Sequence, residues 1–304
     1  MSALDRGTRL PLVAGRTNRG PRLSSLRRYP MIVACLGITS IAAAQQRPLV
    51  TEDPETIGAG RVLVEFGVDY AKEQQFPVSG LTGDLWTVPN IGFSFGISSI
   101  AEIQIDGAPY QRLDITRREE APLSNRVTST GRITEGVGNL VIGTKLRLVT
   151  ETEKRPSFGL RLATKLPNSS SESGLEPDVL NFYASLLAGK TTKSTRYVVN
   201  AGLGIFGDPT VGDRQTDLLI YGLSIAQAVR TGFELVAEGN GRVRLNGEDP
   251  DPNGENRLVF RGGARYTFGP GRIDAAAIVG ATNADQNIGF TIGYTHVFNS
   301  FTVP

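Results

Sequence analysis

Apolar and polar residues alternate along this chain in stretches too long for an ordinary soluble sheet. In RVLVEFGVDYA, Val62, Val64, Phe66, Val68 and Tyr70 fall on one face, and Glu65, Gly67 and Asp69 on the other. LVIGTKLRL sets Leu140, Ile142, Leu146 and Leu148 against Lys145 and Arg147, and SFGLRLATKL sets Phe158, Leu160, Leu162 and Leu166 against Arg161 and Lys165. Period two is the strand signal. About twelve such segments begin near Arg61, Leu85, Ile100, Gly136, Ser157, Asp178, Thr195, Thr216, Thr231, Arg257, Gly271 and Asn287, most of them about 9–14 residues long. Soluble strands run nearer ~5–6 residues. A tilted strand crossing a bilayer needs ~9–11.

The connections alternate between long and short. KEQQFPVSGLTGD is long and SS short; GAPYQRLDITRREEAPLSNRVTSTGRITE is very long and ETEKRP short. NSSSESGLEP, GDPTVGDRQ and NGEDPDPNGE are then each followed by a shorter turn, GKTTKS, VR and FGP. Short turns at one end and longer loops at the other mark bacterial outer-membrane barrels, in which an even strand number puts both termini in the periplasm. The expectation is an all-β fold: an antiparallel transmembrane β-barrel of about twelve strands over residues 61–304. With the first strand running upward, Phe158, Tyr197, Phe233, Tyr266, Phe268, Tyr294 and Phe298 fall at the short-turn ends on the apolar parity, the pattern of a membrane-interface girdle. A secreted soluble sandwich or lipocalin-like barrel is the rival, with its apolar face inward. Parity alone does not say which face is inside; strand length and loop asymmetry favour the membrane.

Residues 1–44 read differently. Arg22, Arg27 and Arg28 precede the apolar run Met31–Ile41, and Ala42 and Ala44 follow it. A basic approach, a short apolar run and an A-x-A site make a cleaved signal peptide, with cleavage after Ala44 and export through the inner membrane. The alternative is a buried helix. The run is too short to span a bilayer as a helix. Cys35 is the only cysteine, and the apolar run continues past it, unlike a lipoprotein box. Without residues 1–44 the chain has no thiol chemistry. Its charge also changes: 7 of the 32 Lys and Arg and 1 of the 30 Asp and Glu leave, so 25 basic residues face 29 acidic ones, a net −4. Nothing in that balance recommends nucleic acid as a partner.

From RPLVTEDPETIGAGRVLVEFGVDY onward the chain resembles the outer-membrane transporters grouped as the MetA-pathway of phenol degradation family, whose members open similarly with Pro-Leu-x-Thr-(Asp/Glu)-Asp-Pro before a first strand. GVGNLVIGTKLRLV and FGLRLATKLPNS look like that family's paired strands, and the resemblance covers roughly residues 47–298. It implies passive uptake of small hydrophobic or aromatic compounds, with no catalytic residues to carry over. The implied surroundings are outer-membrane lipid and lipopolysaccharide, a small-molecule solute, and the barrel-assembly machinery during biogenesis. A structural or surface-interaction barrel with a plugged lumen is the alternative role.

The residues offer an enzyme few parts. His296 is the only histidine, it faces outward by parity, and no serine is placed beside it as a hydrolase would need. DPDPNG, from Asp249 to Gly254, begins like a calcium loop, but Phe260 stands where the closing Glu should be, so an acidic exposed loop is the better reading. No catalytic residue, metal or cofactor is expected. The polar parity instead assigns Glu65, Asp69, Glu102, Asp106, Glu234, Glu238 and Asp274, with Lys145, Arg147, Arg161, Lys165, Arg261 and Arg265, to the lumen as the solute pathway. On the lipid face, Arg or Lys at the midplane would be destabilising by ~2–4 kcal/mol. The acidic third and ninth strands lie beside the basic fourth and tenth, so the charges pair as well as line a conduit. Residues 45–60 read as a periplasmic segment at the lower mouth. Leu49, Val50 and Ile57 suit either a segment tucked into the lumen, with Glu52, Asp53 and Glu55 meeting arginines, or a short tether.

Overall fold

A computed structural model describes residues 47–245 and 253–302. The cleavage site after Ala44, Cys35 and residues 249–252 of DPDPNG lie outside these residues. Fourteen strands among the described residues form one antiparallel sheet, ordered β1-β14-β13-β12-β11-β10-β9-β8-β7-β6-β3-β2-β4-β5 and closed by the pairing of β1 with β2. In chain order they are β1 (Arg61–Phe76), β2 (Leu81–Gly96), β3 (Ala101–Gly107), β4 (Gln111–Arg118), β5 (Ile133–Gly136), β6 (Val141–Val149), β7 (Ser157–Lys165), β8 (Asn181–Thr192), β9 (Thr195–Gly207), β10 (Gln215–Arg230), β11 (Phe233–Arg244), β12 (Arg257–Phe268), β13 (Gly271–Gly280) and β14 (Ile288–Asn299).

Fourteen strands make twelve staves. The lower half of β2, Ile91–Gly96, pairs with β3, and its upper half, Leu81–Thr87, pairs with β4. β6 pairs with β3, and β5 with β4. Thus β3 and β4 are one stave broken at Ala108–Tyr110, and β5 and β6 are another. Pro89 of β2 stands where β2 changes partner, and Pro109 stands in the break itself, so neither removes a ladder donor from a continuous pair.

The two longest-reading early connections are therefore shorter than the sequence suggested. β1 and β2 run on to a four-residue turn, Pro77–Gly80, and the stretch read as a very long loop after Gly107 contains β4 and β5. Both extensions stand above the apolar band. There the outer face carries Asp84, Arg112, Asp114 and Glu135, so the contrast between faces that marks a membrane strand fades. At the other end the turns are tight, with two residues each at Lys193–Ser194, Thr231–Gly232 and Gly269–Pro270.

The polarity of the barrel decides between the two fold readings. Lys145 and Glu102 are wholly buried inside, whereas Leu186 is 65% and Leu203 52% exposed outside. A soluble barrel would be the reverse. A continuous exposed apolar surface of this kind belongs against lipid. Among the described residues no helix is long and apolar enough to cross a membrane, so any crossing is made by strands.

Candidate functional site: the barrel interior

Residues 47–60 do not hang below the barrel; they run through its interior. Arg47 lies against Gly67 of β1 and Gly293 of β14, where any side chain would collide with its guanidinium. Its Nη2 donates to Thr291 Oγ1 at 2.6 Å, and it forms ion pairs with Asp69 at 3.8 Å and Asp274 at 3.6 Å. Leu49 then packs on Ala226 and Val236 across the lumen. The N–H groups of Val50 and Thr51 both donate to the Glu238 carboxylate, at 3.0 and 2.9 Å. This is how an irregular buried backbone is satisfied when no ladder neighbours it.

The acidic stretch that follows is held by four cations on three strands. Glu52 meets Lys145 of β6 at 3.3 Å and Arg161 of β7 at 2.8 Å. Asp53 receives a two-pronged contact from Arg196 of β9, at 2.8 and 2.7 Å. Glu55 pairs with Arg147 of β6 at 2.6 Å. The Ile57 N–H donates to Glu102 at 2.8 Å, and its side chain packs on Leu63 and Val297. Glu102 in turn holds Lys145 at 3.0 Å. The segment leaves along β2, where Gly60 N–H donates to Gly96 C=O.

The remaining residues assigned from parity lie along the same inner wall. Glu65 accepts from Thr295 at 3.1 Å, and Asp69 from Asn90 at 2.7 Å. Asp106 lies 3.8 Å from Arg161. Arg261 pairs with Glu238 at 2.9 Å, and Arg265 with Glu234 at 2.7 Å. Lys165 is buried higher up, and its Nζ reaches only the Pro177 carbonyl, at 3.5 Å. Parity reasoning passed over Arg47, Arg196, Asn200, Arg242 and Arg272. Arg196 and Arg272 sit on the polar parity of their strands, next to Tyr197 and Ile273, and could have been found that way. Nothing in the sequence marked Arg47.

Among the described residues, two chambers can be traced in the lumen. The inner one, about 650 Å³, has Arg47–Val50 and Glu52 among its walls, with Asp69, Asp106, Arg161 and Arg261 around it. The outer one, about 360 Å³, is walled by the β1–β2 hairpin, the loop after β7 and the upper ends of β8, β9 and β11. Gln74, Leu85 and Tyr183 border both.

Charged groups beyond the staves are tuned by their neighbours. Burial pushes the Glu151 carboxyl up, but the Thr191 N–H, Lys190 and Arg196 outweigh it and hold Glu151 below the usual carboxylate range. At Asp208 burial is likewise outweighed, by the Thr210 hydroxyl and N–H, Arg214 and the Val211 N–H, and the carboxyl falls to about 2.

On the outer wall, the aromatics picked from the sequence are at least partly exposed: Phe158, Tyr197, Tyr266, Phe268, Tyr294 and Phe298 strongly, and Phe233 in part. Phe268, Tyr294, His296 and Phe298 form a chain of ring contacts, and Tyr294 and His296 share a hydrogen bond of 2.8 Å. A second cluster joins Tyr70, Trp86 and Phe290. The girdle reading took in aromatics at the short-turn ends alone, and this cluster stands at the other end. Phe290 and Phe298 lie eight positions apart on β14, about 20 Å of height for a tilted strand.

Among solved structures, an outer membrane channel from Pseudomonas putida F1 is similar in fold at a TM-score of 0.57 and 13% identity, covering 81% of this chain and 98% of that one. The translocator domain of the autotransporter NalP from Neisseria meningitidis is a looser neighbour, with a TM-score of 0.46, 15% identity, and coverage of 79% and 89%. No curated protein matches the sequence. The protein is thus a twelve-stave barrel of the outer-membrane type. Residues 45–298 match the family described as "Putative MetA-pathway of phenol degradation", and the chain belongs to that family.

Proposed function

We propose that this protein is a passive outer-membrane channel for small hydrophobic or aromatic compounds, working without cofactor or turnover chemistry. The observation that carries the reading is the outer chamber. Phe76, Val78, Leu85, Leu123 and Leu175 line it together with Gln75, Gln111 and Asn139. Apolar walls with a few placed polar groups suit a small solute of mixed character. The family's link to phenol degradation points the same way, as does the likeness in fold to an outer membrane channel. In this reading residues 1–44 are the export signal and residues 61–304 the barrel. The charged residues of the inner wall line the route, and the lower aromatic ring rests at the periplasmic membrane interface.

A second reading is favoured by the segment 47–57: a barrel whose lumen is plugged and whose task is structural or adhesive. Ion pairs from Arg47 to Glu55 span the lower lumen. Flux into proteoliposomes separates the two. The channel reading expects phenol to equilibrate faster across vesicles carrying the protein than across empty vesicles. Equal rates in both, for neutral aromatics and for ions alike, would leave the plugged barrel.

A further inference from the structure

Nearly every cation of the inner wall has a carboxylate within ion-pair distance, as the pairs of Lys145, Arg147, Arg161, Arg261 and Arg265 illustrate. Lys165 and Arg242 of the outer chamber do not, and neither, among the described residues, does Arg272 near the β12–β13 turn, which borders neither chamber. Among the described residues, neither Lys165 nor Arg242 has a carboxylate oxygen within 4.0 Å. Lys165 is only 6% exposed. Glu176 and Asp178 act on it through their charge from farther off, and so does Arg242. Arg242 donates to the backbone carbonyls of Glu255 and Asn253, and its guanidinium lies over the Phe206 ring, 4.9 Å from the centroid. Phe206 meets Tyr183 edge to face at 5.4 Å.

Two like charges, one of them deeply buried, therefore face one small chamber beside an aromatic pair. Burying an unpaired charge is costly, and an incoming anion relieves that cost. A neutral ring would leave both cations with only the more distant charges of acids such as Glu176, which also lines the chamber, and no direct partner. A small hydrophilic anion would leave Phe206, Tyr183 and Leu175 unused. A monoanion carrying an aromatic ring answers both features, and a chamber of about 360 Å³ suits a single-ring molecule.

We propose that the outer chamber is a binding site for a small aromatic monocarboxylate of the benzoate class, its carboxylate held by Lys165 and Arg242 and its ring against Tyr183 and Phe206. This rests on the channel reading, since the occupant is then a solute in transit. The site selects among aromatic compounds by charge at the extracellular mouth, before the inner chamber is reached.

The test is a titration of the full-length protein in detergent, followed by saturation-transfer NMR, with sodium benzoate, benzyl alcohol and sodium acetate in turn. Benzoate is expected to bind about tenfold tighter than either of the others, the scale of a charge-assisted contact. The double variant Lys165→Gln, Arg242→Gln is expected to lose about that factor for benzoate and none for benzyl alcohol, and Lys165→Arg to keep most of it. Benzyl alcohol binding as well as benzoate would overturn the proposal, as would acetate doing so, or an unchanged double variant. Should the double variant not fold, the parent decides: benzoate affinity must fall as salt rises from about 50 to 500 mM, and a flat response overturns the proposal. Phenol flux into proteoliposomes is scored separately. Flux without benzoate selectivity removes the site and keeps the channel; benzoate binding without any flux keeps the site and removes the channel.

Discussion

Asn200 grips the backbone of Glu52 from both sides. Its Oδ1 accepts the Glu52 N–H at 2.6 Å, and its Nδ2 donates to the Glu52 C=O at 2.8 Å. One amide side chain on β9 thereby substitutes for a neighbouring strand. Replacing it by alanine removes both bonds, each worth about 1 kcal/mol net. Asn200→Ala is expected to raise the released fraction of the segment by roughly 30-fold. Faster amide exchange at residues 50–55, with β-sheet content unchanged, is the readout.

Removing the segment tests its role as a constriction. Deletion of residues 47–57 takes away the inner wall between Arg47 and Glu52 and leaves the twelve staves their own pairings. The expected outcome is a larger single-channel conductance with retained heat-modifiable gel mobility. Parental conductance in the deleted protein would make the segment a tether in function.

Lys145 sits between Glu52 and Glu102 with no exposure. Removing it leaves buried Glu102 without a cation among the described residues and Glu52 still paired with Arg161, a loss on the order of 3–5 kcal/mol. Lys145→Met should therefore lower the urea midpoint of the detergent-folded barrel far more than Arg112→Met does at a half-exposed pair outside. Arg161→Glu at the inner chamber should instead shift the reversal potential toward cations, since that wall already carries Asp69 and Asp106.

The loop Asp208–Arg214 should respond to acid. Asp208 accepts from Thr210, Val211 and Arg214, and its carboxyl is lowered from 3.8 to about 2. A lowered folded value stabilises above the ordinary carboxylate range and is lost as the pH falls toward about 2. Protease nicking at 209–213 should rise between pH 4 and pH 2 in the parent. Asp208→Asn should be nicked readily at both values.

How much of this was legible depends on the solvent each element faces. β6, β7 and β13 lie between lipid and a polar lumen, so Lys145, Arg161 and Asp274 stand out against their apolar neighbours. The upper halves of β1 and β2, and all of β4 and β5, face water outside, and there the polarity is reversed, with Leu113 and Ile115 inward and Arg112 and Asp114 outward, in runs too short to read as a membrane-spanning strand. The acids of residues 52–55 announced a need for cations but not which ones. Glu52 meets Lys145 as well as an arginine, and that choice is set by where the chain crosses the lumen, which local sequence does not encode. The Tyr183–Phe206 pair joins two strands by register, and no spacing within either strand points to it.

The segment at 47–57 also dates itself. Arg47 takes its bonds from Asp274 and Thr291, the latter 244 positions along the chain. Leu49 waits for β10 and β11, and Asp53 for β9. The hold on Arg47 is complete only when β14 has met β1, and those on Glu52 and Asp53 only when β6, β7 and β9 stand. The residues that precede every described strand are thus held by partners from β3 through β14, so their full set of contacts exists only when the whole wall does.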